Sequence, residues 1–348
     1  VHTVNLMLNF LCYICHATII LCTATQPQLA ANSIKRKIIY TKPKDMVTGL
    51  QNLFHCFNRT KITFDTTEKY NFETLGKKIS NDFKNERTML LILNKKENVG
   101  GFYDYIKEEL KDVKTFYLTT NLCPEHRSDQ LMYIKSCLEN KQDKILIIST
   151  SLIEAGVDLS VEHVYRSLVG LDSIAQAAGR CNRNGEIEQG RVTVIQLEGD
   201  DFKEICTAQK KTMEIVECYN MEKQSGSIIF PEWMDQYYER YYHEVNNQMD
   251  YAEQGTTIYK LLSGGFEGNG KHLIRQAFET AGKYYRPIKE EGKTVIVPYK
   301  AGTDILEELE KIQTVSDKRN LLRRLQRYTV TVYDNALKEY LQNGVVEE

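Results

Sequence analysis

Short, nearly unbroken apolar runs recur along the first two thirds of the chain, separated by longer stretches of mixed polarity. Met89–Leu93 and Ile145–Ile148 are the clearest, with Phe116–Leu118 and Arg191–Leu197 as weaker companions. Runs of this length without alternation suit strands covered on both faces. Between them, a turn at Asn94-Lys95 leads into a predicted helix to about Leu110, and a second helix is expected from Pro124 to Cys137. Strand and helix in turn predict an α/β fold with a parallel sheet between helical layers. Ahead of this region, residues 4–15 predict a buried helix and Ala17–Leu21 a core strand. Lys35–Lys44, ending at Pro43, reads as a crossing segment. From about Ser225 the alternation stops. Phe230-Pro231-Glu232-Trp233 opens a segment crowded with tyrosine (Tyr237–Tyr242), predicting a mainly helical C-terminal domain with a small β part near Val295–Pro298.

The stretch from Ile145 to Glu186 concentrates the chemistry. Its buried strand ends at Ser149, Thr150 and Ser151, a hydroxyl-rich turn where ligands of parallel sheets gather. Gly156 permits a tight backbone course, and Asp158 follows two residues later. Asp172-Ser173 is a good N-cap pair for a helix carrying Gln176, Gly179 and Arg180. Gln176, Arg180 and Arg183 stand at i, i+4 and i+7, on one helix face as far as the helix persists. An amide and two guanidinium forks suit a phosphate group on which charge develops.

STSLIEAGVDLS and QAAGRCNRNGE resemble motifs V and VI of superfamily 2 helicases, the second as Q-x-x-G-R-x-x-R through Gln176, Gly179, Arg180 and Arg183. LCTATQP resembles motif III, with Thr23 and Thr25 in its hydroxyl positions. The flanking wording (NLMLNFLC, TNLCPEHR, LIRQAF and RRLQRYTVTVYDNAL) is similar to the helicase–nuclease of type I CRISPR systems, closest to its subtype C form. That resemblance covers nearly the whole chain. It implies a remnant of a first RecA-like lobe over residues 1–31, a second RecA-like lobe over 32–222, and an accessory domain over 223–348. It also implies that ATP and Mg2+ lie between lobes, a missing first lobe supplying the phosphate loop and magnesium acid. Arg180 and Arg183 then act as arginine fingers, Gln176 orients water or the γ-phosphate, and Gly156, Asp158 and Gly179 meet the nucleotide. Thr150 and Ser151 hold the backbone of single-stranded DNA, and Thr23 and Thr25 relay between the two sites. The implied partners are single-stranded DNA, the missing lobe, a His-Asp nuclease domain and an RNA-guided surveillance complex.

Composition narrows these expectations. The net charge of −2 supplies no global field toward nucleic acid, so a binding surface must be local. Nine scattered cysteines argue for a reducing, cytoplasmic setting, and Cys12-x-x-Cys15 has no second pair at zinc spacing; no metal ligands are expected. The apolar opening, interrupted by Asn5, Asn9 and His16 and lacking a basic flank, reads as neither signal peptide nor membrane span. Its start without an initiator Met reads as a cut chain. GFEGNGK (Gly265–Lys271) imitates a phosphate loop, but His272 replaces the required hydroxyl residue. His126-Arg127 reads as a solvated helix start or a phosphate contact. The tyrosines read as a packing surface or as base-stacking platforms. Lys318, Arg319, Arg323, Arg324 and Arg327 form a basic run, either a solvated face or a contact surface. The expected activity is the C-terminal half of an ATP-dependent helicase in antiviral defence, inactive by itself for want of a phosphate loop. The alternative is a non-catalytic binding module of helicase descent.

Overall fold

The computed structural model describes residues 1–23, 25–40, 46–47, 49, 53–54, 58–222, 226–253, 255–263, 277–285, 292–311 and 314–346. The chain divides into two compact units, each assembled from three segments. One holds Val1–Asn58, Val169–Ala175 and Lys203–Lys289; the other holds Arg59–Leu168, Gln176–Phe202 and Glu290–Glu348. The false phosphate loop at Gly265–Lys271 and the end of the predicted crossing segment, residues 41–44, lie outside the described residues.

Helix α1 (His2–Tyr13) opens the first unit. The second unit begins with β1 (Thr60–Tyr70), α2 (Phe72–Asp82), β2 (Thr88–Ile92) and α3 (Lys96–Glu109). It continues through β3 (Lys114–Leu118), α4 (Pro124–Glu139), β4 (Ile145–Ser149) and β5 (His163–Ser167). Helix α5 (Leu171–Ala178), whose residues up to Ala175 belong to the first unit, and strand β6 (Gly190–Leu197) follow in the chain. The six strands pair in parallel throughout, in the order β1-β6-β5-β2-β4-β3. This is the parallel α/β lobe that the sequence predicts.

Strands β2, β4 and β5 are buried at every position, as their central place requires. On one face Met89, Leu91, Leu146, Ile148, Tyr165 and Ile195 meet Leu75 and Ile79 of α2 and Val99, Phe102 and Ile106 of α3. Two strands escape the apolar pattern. β1, at one edge of the sheet, is mostly polar and only partly buried. β5 (HVYRS) is central yet carries His163 and Arg166, whose burial depends on dedicated partners. At its amino end His163 Nδ1 lies 2.7 Å from Glu86 Oε2 and Nε2 lies 2.8 Å from Thr193 Oγ1. Asp82, Glu86 and His163 are the one group of three potential metal ligands among the described residues, their donor atoms within 4.8 Å of one another. Arg191 already bridges both carboxylates, at 3.2 Å from Asp82 and 2.5 Å from Glu86, so one of their two charges is offset from within the chain.

In the first unit, α6 (Lys203–Glu222) and α7 (Pro231–Val245) form a pair, with Trp233 edge-on to Tyr219 at 5.4 Å. Tyr237, Tyr238 and Tyr242 are buried in it and stack along α7, Tyr237 on Tyr241 and Tyr238 on Tyr242. The tyrosine segment is therefore a packing surface. A two-stranded pair, β7 (Ala252–Glu253) and β8 (Thr256–Thr257), precedes the short helices α8 (Ile258–Leu262) and α9 (Phe278–Tyr284).

Two expectations fail here. Ala17–Leu21 forms no strand and is largely exposed. A strand needs a neighbour to satisfy its backbone, and among the described residues of this unit the only strands are the two-residue β7 and β8. Helix α1 does form, but its buried residues are His2 and Asn5 rather than its apolar ones. Asn5 donates to the carbonyls of Leu29 and Arg36, while Val4, Met7 and Phe10 stay exposed.

The second unit closes with β9 (Lys293–Ile296), α10 (Gly302–Lys311), α11 (Val315–Leu325), β10 (Thr329–Val332) and α12 (Asp334–Gln342). β9 and β10 pair antiparallel, and Ile305, Leu321, Leu325 and Tyr328 form a small core. Among the described residues no helix is long and apolar enough to cross a membrane.

Candidate functional site

Strand β4 ends at Ser149, whose hydroxyl donates to the Leu118 carbonyl at 2.9 Å. That bond ties the ends of β4 and β3 together and presents Thr150 and Ser151 next in the chain. Thr150 precedes a single 3-10 turn, Ser151–Glu154, with Ser151 exposed and Ile153 and Glu154 buried. Gly156 then takes φ 72°, the left-handed conformation in which a side chain is strained, and the chain turns toward exposed Asp158.

Helix α5 starts at Leu171, one residue before the predicted cap pair, and Asp172 falls in its first turn. There its carboxylate suits the positive end of the helix and accepts from the Tyr237 hydroxyl at 3.2 Å. The helix ends at Ala178, so the expected single face of Gln176, Arg180 and Arg183 does not exist. Tight backbone bonds, Arg180 N to Ala177 O at 2.9 Å and Cys181 N to Ala178 O at 3.0 Å, close it. Asn182 then adopts φ 46°, and its side-chain amide holds Ile187 through both its donor and its acceptor. Gln176 is half-buried on the helix, Gly179 is exposed at its end, and the arginines lie in the turn beyond.

The two arginines differ. Arg180 is 8% exposed, and its Nε donates to the Ile153 carbonyl at 2.9 Å while Nη2 donates to that of Glu154. Burial, with like-charge repulsion from Arg183, lowers its pKa. Arg183 is 44% exposed, with Nε 3.0 Å from Asp158 Oδ1. The expected motif V and motif VI residues are thus held as one piece. Arg180 grips the turn that carries Thr150 and Ser151, and Arg183 meets Asp158 beyond Gly156. Thr23 and Thr25 belong to the first unit, where they border a pocket of about 510 Å³ with Asp172, Ser173 and Tyr238.

A buried polar network supports this turn, and the sequence pattern did not reveal it. Arg166 Nε lies 2.9 Å from Glu154 Oε1, with side chains 2% and 6% exposed. Arg166 also donates to Asn94 Oδ1 at 2.6 Å and to the Ser167 carbonyl at 3.0 Å. The backbone amides of Asn94 and Lys95 donate to the fully buried carboxylate of Asp200 at 2.8 and 3.0 Å. The available signal was a charge inside each of two apolar stretches, Glu154 in SLIEAG and Arg166 in VYRSLVG. His126, expected as a solvated or phosphate-contacting residue, stacks instead on Tyr299 at 4.4 Å, and Arg127 donates to the Leu122 carbonyl at 3.0 Å.

Residues 85–186 match the family model described as CRISPR-associated nuclease/helicase Cas3, C-terminal. The Cas3 of Haloferax volcanii is 45% identical over 73 residues, 20% of this chain and 8% of that protein. The Cas3 of Methanothermobacter thermautotrophicus is 23% identical over 210 residues, 55% of this chain and 25% of that protein. The chain therefore spans a quarter or less of the length of these curated relatives. The crystal structure of T. fusca Cas3 with ATP aligns at TM-score 0.43 and 14% identity, over 53% of this chain and 23% of that one. By the family model and the sequence relatives, the chain resembles the C-terminal part of Cas3.

Proposed function

We propose that the chain is the C-terminal half of an ATP-dependent, single-stranded DNA translocase acting in type I CRISPR defence. The observation that carries this reading is the attachment of Arg180 to the Thr150–Glu154 turn, within the segment that matches the family model. A turn that meets DNA and a loop that meets nucleotide, if bonded to one another, move together, so closure on ATP is transmitted to the strand. Thr150 and Ser151 hold phosphate oxygens of the DNA. Gln176 orients water or the γ-phosphate, and Gly156, Asp158 and Gly179 line the nucleotide. Thr23 and Thr25 relay between the two sites.

The unequal exposure of the two arginines supports a division of work between them. Arg183 is accessible and needs only to exchange Asp158 for a phosphate oxygen, so it is the finger. Arg180, committed to two carbonyls, is the positioning residue. ATP supplies the phosphoryl group and Mg2+ the charge neutralisation, both held chiefly by a first lobe carrying the phosphate loop. Cleavage of invader DNA belongs to a separate nuclease domain, and an RNA-guided surveillance complex delivers the opened target.

The test is steady-state ATP hydrolysis by a protein containing both lobes, with and without single-stranded DNA. Arg183→Ala is expected to lower kcat by roughly 10³-fold or more with a modest change in KM. Lys should rescue poorly, since it lacks the bidentate fork. A near-normal kcat for Arg183→Ala removes the finger assignment.

A further inference from the structure

The parallel sheet places the ends of β2, β4 and β3 side by side on one edge, with Ile92 and Leu118 each registered against Ser149. The Thr150–Ser151 turn thus emerges between two helix starts, α3 after β2 and α4 after β3. Neighbouring strands lie about 4.8 Å apart, so these flanks are separated by roughly 10 Å. The C-terminal segment is fastened to both. On the α3 side, Lys96 Nζ stands 5.6 Å from the ring centroid of Tyr333. On the α4 side, Tyr299 donates to Asp129 at 2.7 Å, Lys300 pairs with Asp129 at 2.6 Å, and Arg327 pairs with Glu125 at 2.7 Å. The segment bearing α11 is therefore anchored at the same sheet edge as the two hydroxyls.

Helix α11 buries Leu321 and Leu325 and turns Lys318, Arg319 and Arg323 outward. Arg324 and Arg327 of the basic run are matched by Glu308 and Glu125. Lys318, Arg319 and Arg323 make no ion pair among the described residues. Arg323 lies in the last turn of α11, where the helix dipole favours a cation, but folding gives no such reason for Lys318 and Arg319. Arg319 and Arg323 are like charges at i, i+4, which destabilises a helix. Lys318 lies at the end of the first turn, where the dipole disfavours a cation. In a chain of net charge −2 these unmatched charges are a local field on the segment that is tied to the candidate DNA edge through Tyr299, Lys300 and Arg327.

We infer that Lys318, Arg319 and Arg323 form a phosphate-binding stripe that tracks the same nucleic-acid strand as Thr150 and Ser151. The inference rests on the proposed DNA role of that turn and adds its cationic component. Hydroxyls fix the position of a phosphate, whereas the stripe supplies the counterion-releasing charge that the turn lacks.

The experiment is fluorescence anisotropy of the 348-residue chain with a labelled oligothymidylate across a salt series. Lys318→Gln, Arg319→Gln, Arg323→Gln together should weaken binding at low salt and flatten the salt slope by about 2, roughly 0.7 per cation on a single strand. All three side chains are exposed, so circular dichroism should show the fold intact. Thr150→Val, Ser151→Ala should weaken binding with the slope unchanged. If the triple variant keeps both affinity and slope, the stripe is overturned, whether or not the hydroxyl variant is affected. If only the triple variant has an effect, the stripe stands and the DNA role of the hydroxyls falls. Displacement of the oligonucleotide by polyglutamate at equal charge concentration would assign the stripe to acidic polypeptide and overturn the nucleic-acid inference.

Discussion

Nε of Arg183 lies 3.0 Å from Oδ1 of Asp158, joining a residue beyond the end of α5 to one just past the Gly156 turn. Both side chains are largely in water, 44% and 73% exposed. An exposed pair contributes about 0–1 kcal/mol, so it fixes a resting geometry without holding the fold. Asp158→Asn should shift the urea midpoint of unfolding by an amount near the error of the measurement. A loss of more than about 1 kcal/mol would show the pair to be structural.

Arg180 should behave differently. Its guanidinium satisfies the carbonyls of Ile153 and Glu154 from a buried position. Arg180→Ala leaves those acceptors without their donors, at a cost of about 1.5–3 kcal/mol for each charge-assisted bond. Urea unfolding should show this loss in the absence of any nucleotide. Unchanged stability would mean that Arg180 is free to leave the turn, and it would then qualify as a second finger.

The Glu154–Arg166 pair carries a sharper expectation. Removing one partner strands the other charge in the interior, so Glu154→Leu or Arg166→Met alone should cost about 3–5 kcal/mol. Replacing both by apolar residues, Glu154→Leu with Arg166→Met, should cost much less than the sum, because no charge remains to be desolvated. Chemical denaturation of the four proteins in this cycle gives the coupling directly. Additive losses would place the stabilisation elsewhere in the Asn94–Asp200 network.

The contrast between these pairs marks what the sequence can convey. Met89–Leu93, Ile145–Ser149 and Arg191–Leu197 announced their strands because burial on two faces demands apolar residues in succession. The hydroxyl turn was legible for the same reason, as the point where such a run stops. β5 was not, since its buried His163 and Arg166 depend on Glu86 and Glu154, acids that lie on other elements and whose pairing the sequence does not state. Ala17–Leu21 erred the other way: apolar residues suit a strand only where a neighbouring strand is present. The stop at Ala178 hid behind an unbroken i, i+4, i+7 spacing, which says nothing of Asn182 turning left-handed.

Cysteine chemistry offers a pH test. Burial pushes the Cys181 thiol up to about 12, with the Glu86 charge adding to the effect. In the unfolded chain an ordinary thiol ionises near 8.5. Between these values the unfolded state has released a proton that the folded state keeps, so this group's contribution to stability is complete below about pH 8.5 and declines as pH rises toward 12. Its thiolate is also scarce at neutral pH. Iodoacetamide at pH 8 should modify exposed Cys15, Cys22 and Cys206 first and reach Cys181 only on unfolding, as read by peptide mass spectrometry. Early labelling of Cys181 would show that the turn after α5 opens readily.

Gly170 supplies the last prediction, and space rather than backbone conformation decides it. A Cβ there would stand 2.4 Å from the Tyr237 hydroxyl, 2.5 Å from Asp172 Oδ1 and 3.3 Å from the Ala208 side chain. The flexible end of a side chain can often yield, but Tyr237 is 1% exposed, stacked on Tyr241 and bonded to Asp172. Moving its hydroxyl aside breaks the bond to Asp172. Gly170→Ala should therefore destabilise by about 1–3 kcal/mol, the usual cost of overpacking a close contact. Tyr237→Phe removes the nearest atom and frees the Asp172 carboxylate to turn aside, at the expense of one hydrogen bond worth about 0.5–1.5 kcal/mol. In that background Gly170→Ala should cost at least about 1 kcal/mol less than in the parent, a coupling typical of residues in direct contact. Thermal or urea unfolding of the two single variants, the double variant and the parent measures it. An equal cost in both backgrounds would show that Ala208 or Asp172, and not the tyrosine hydroxyl, excludes the side chain.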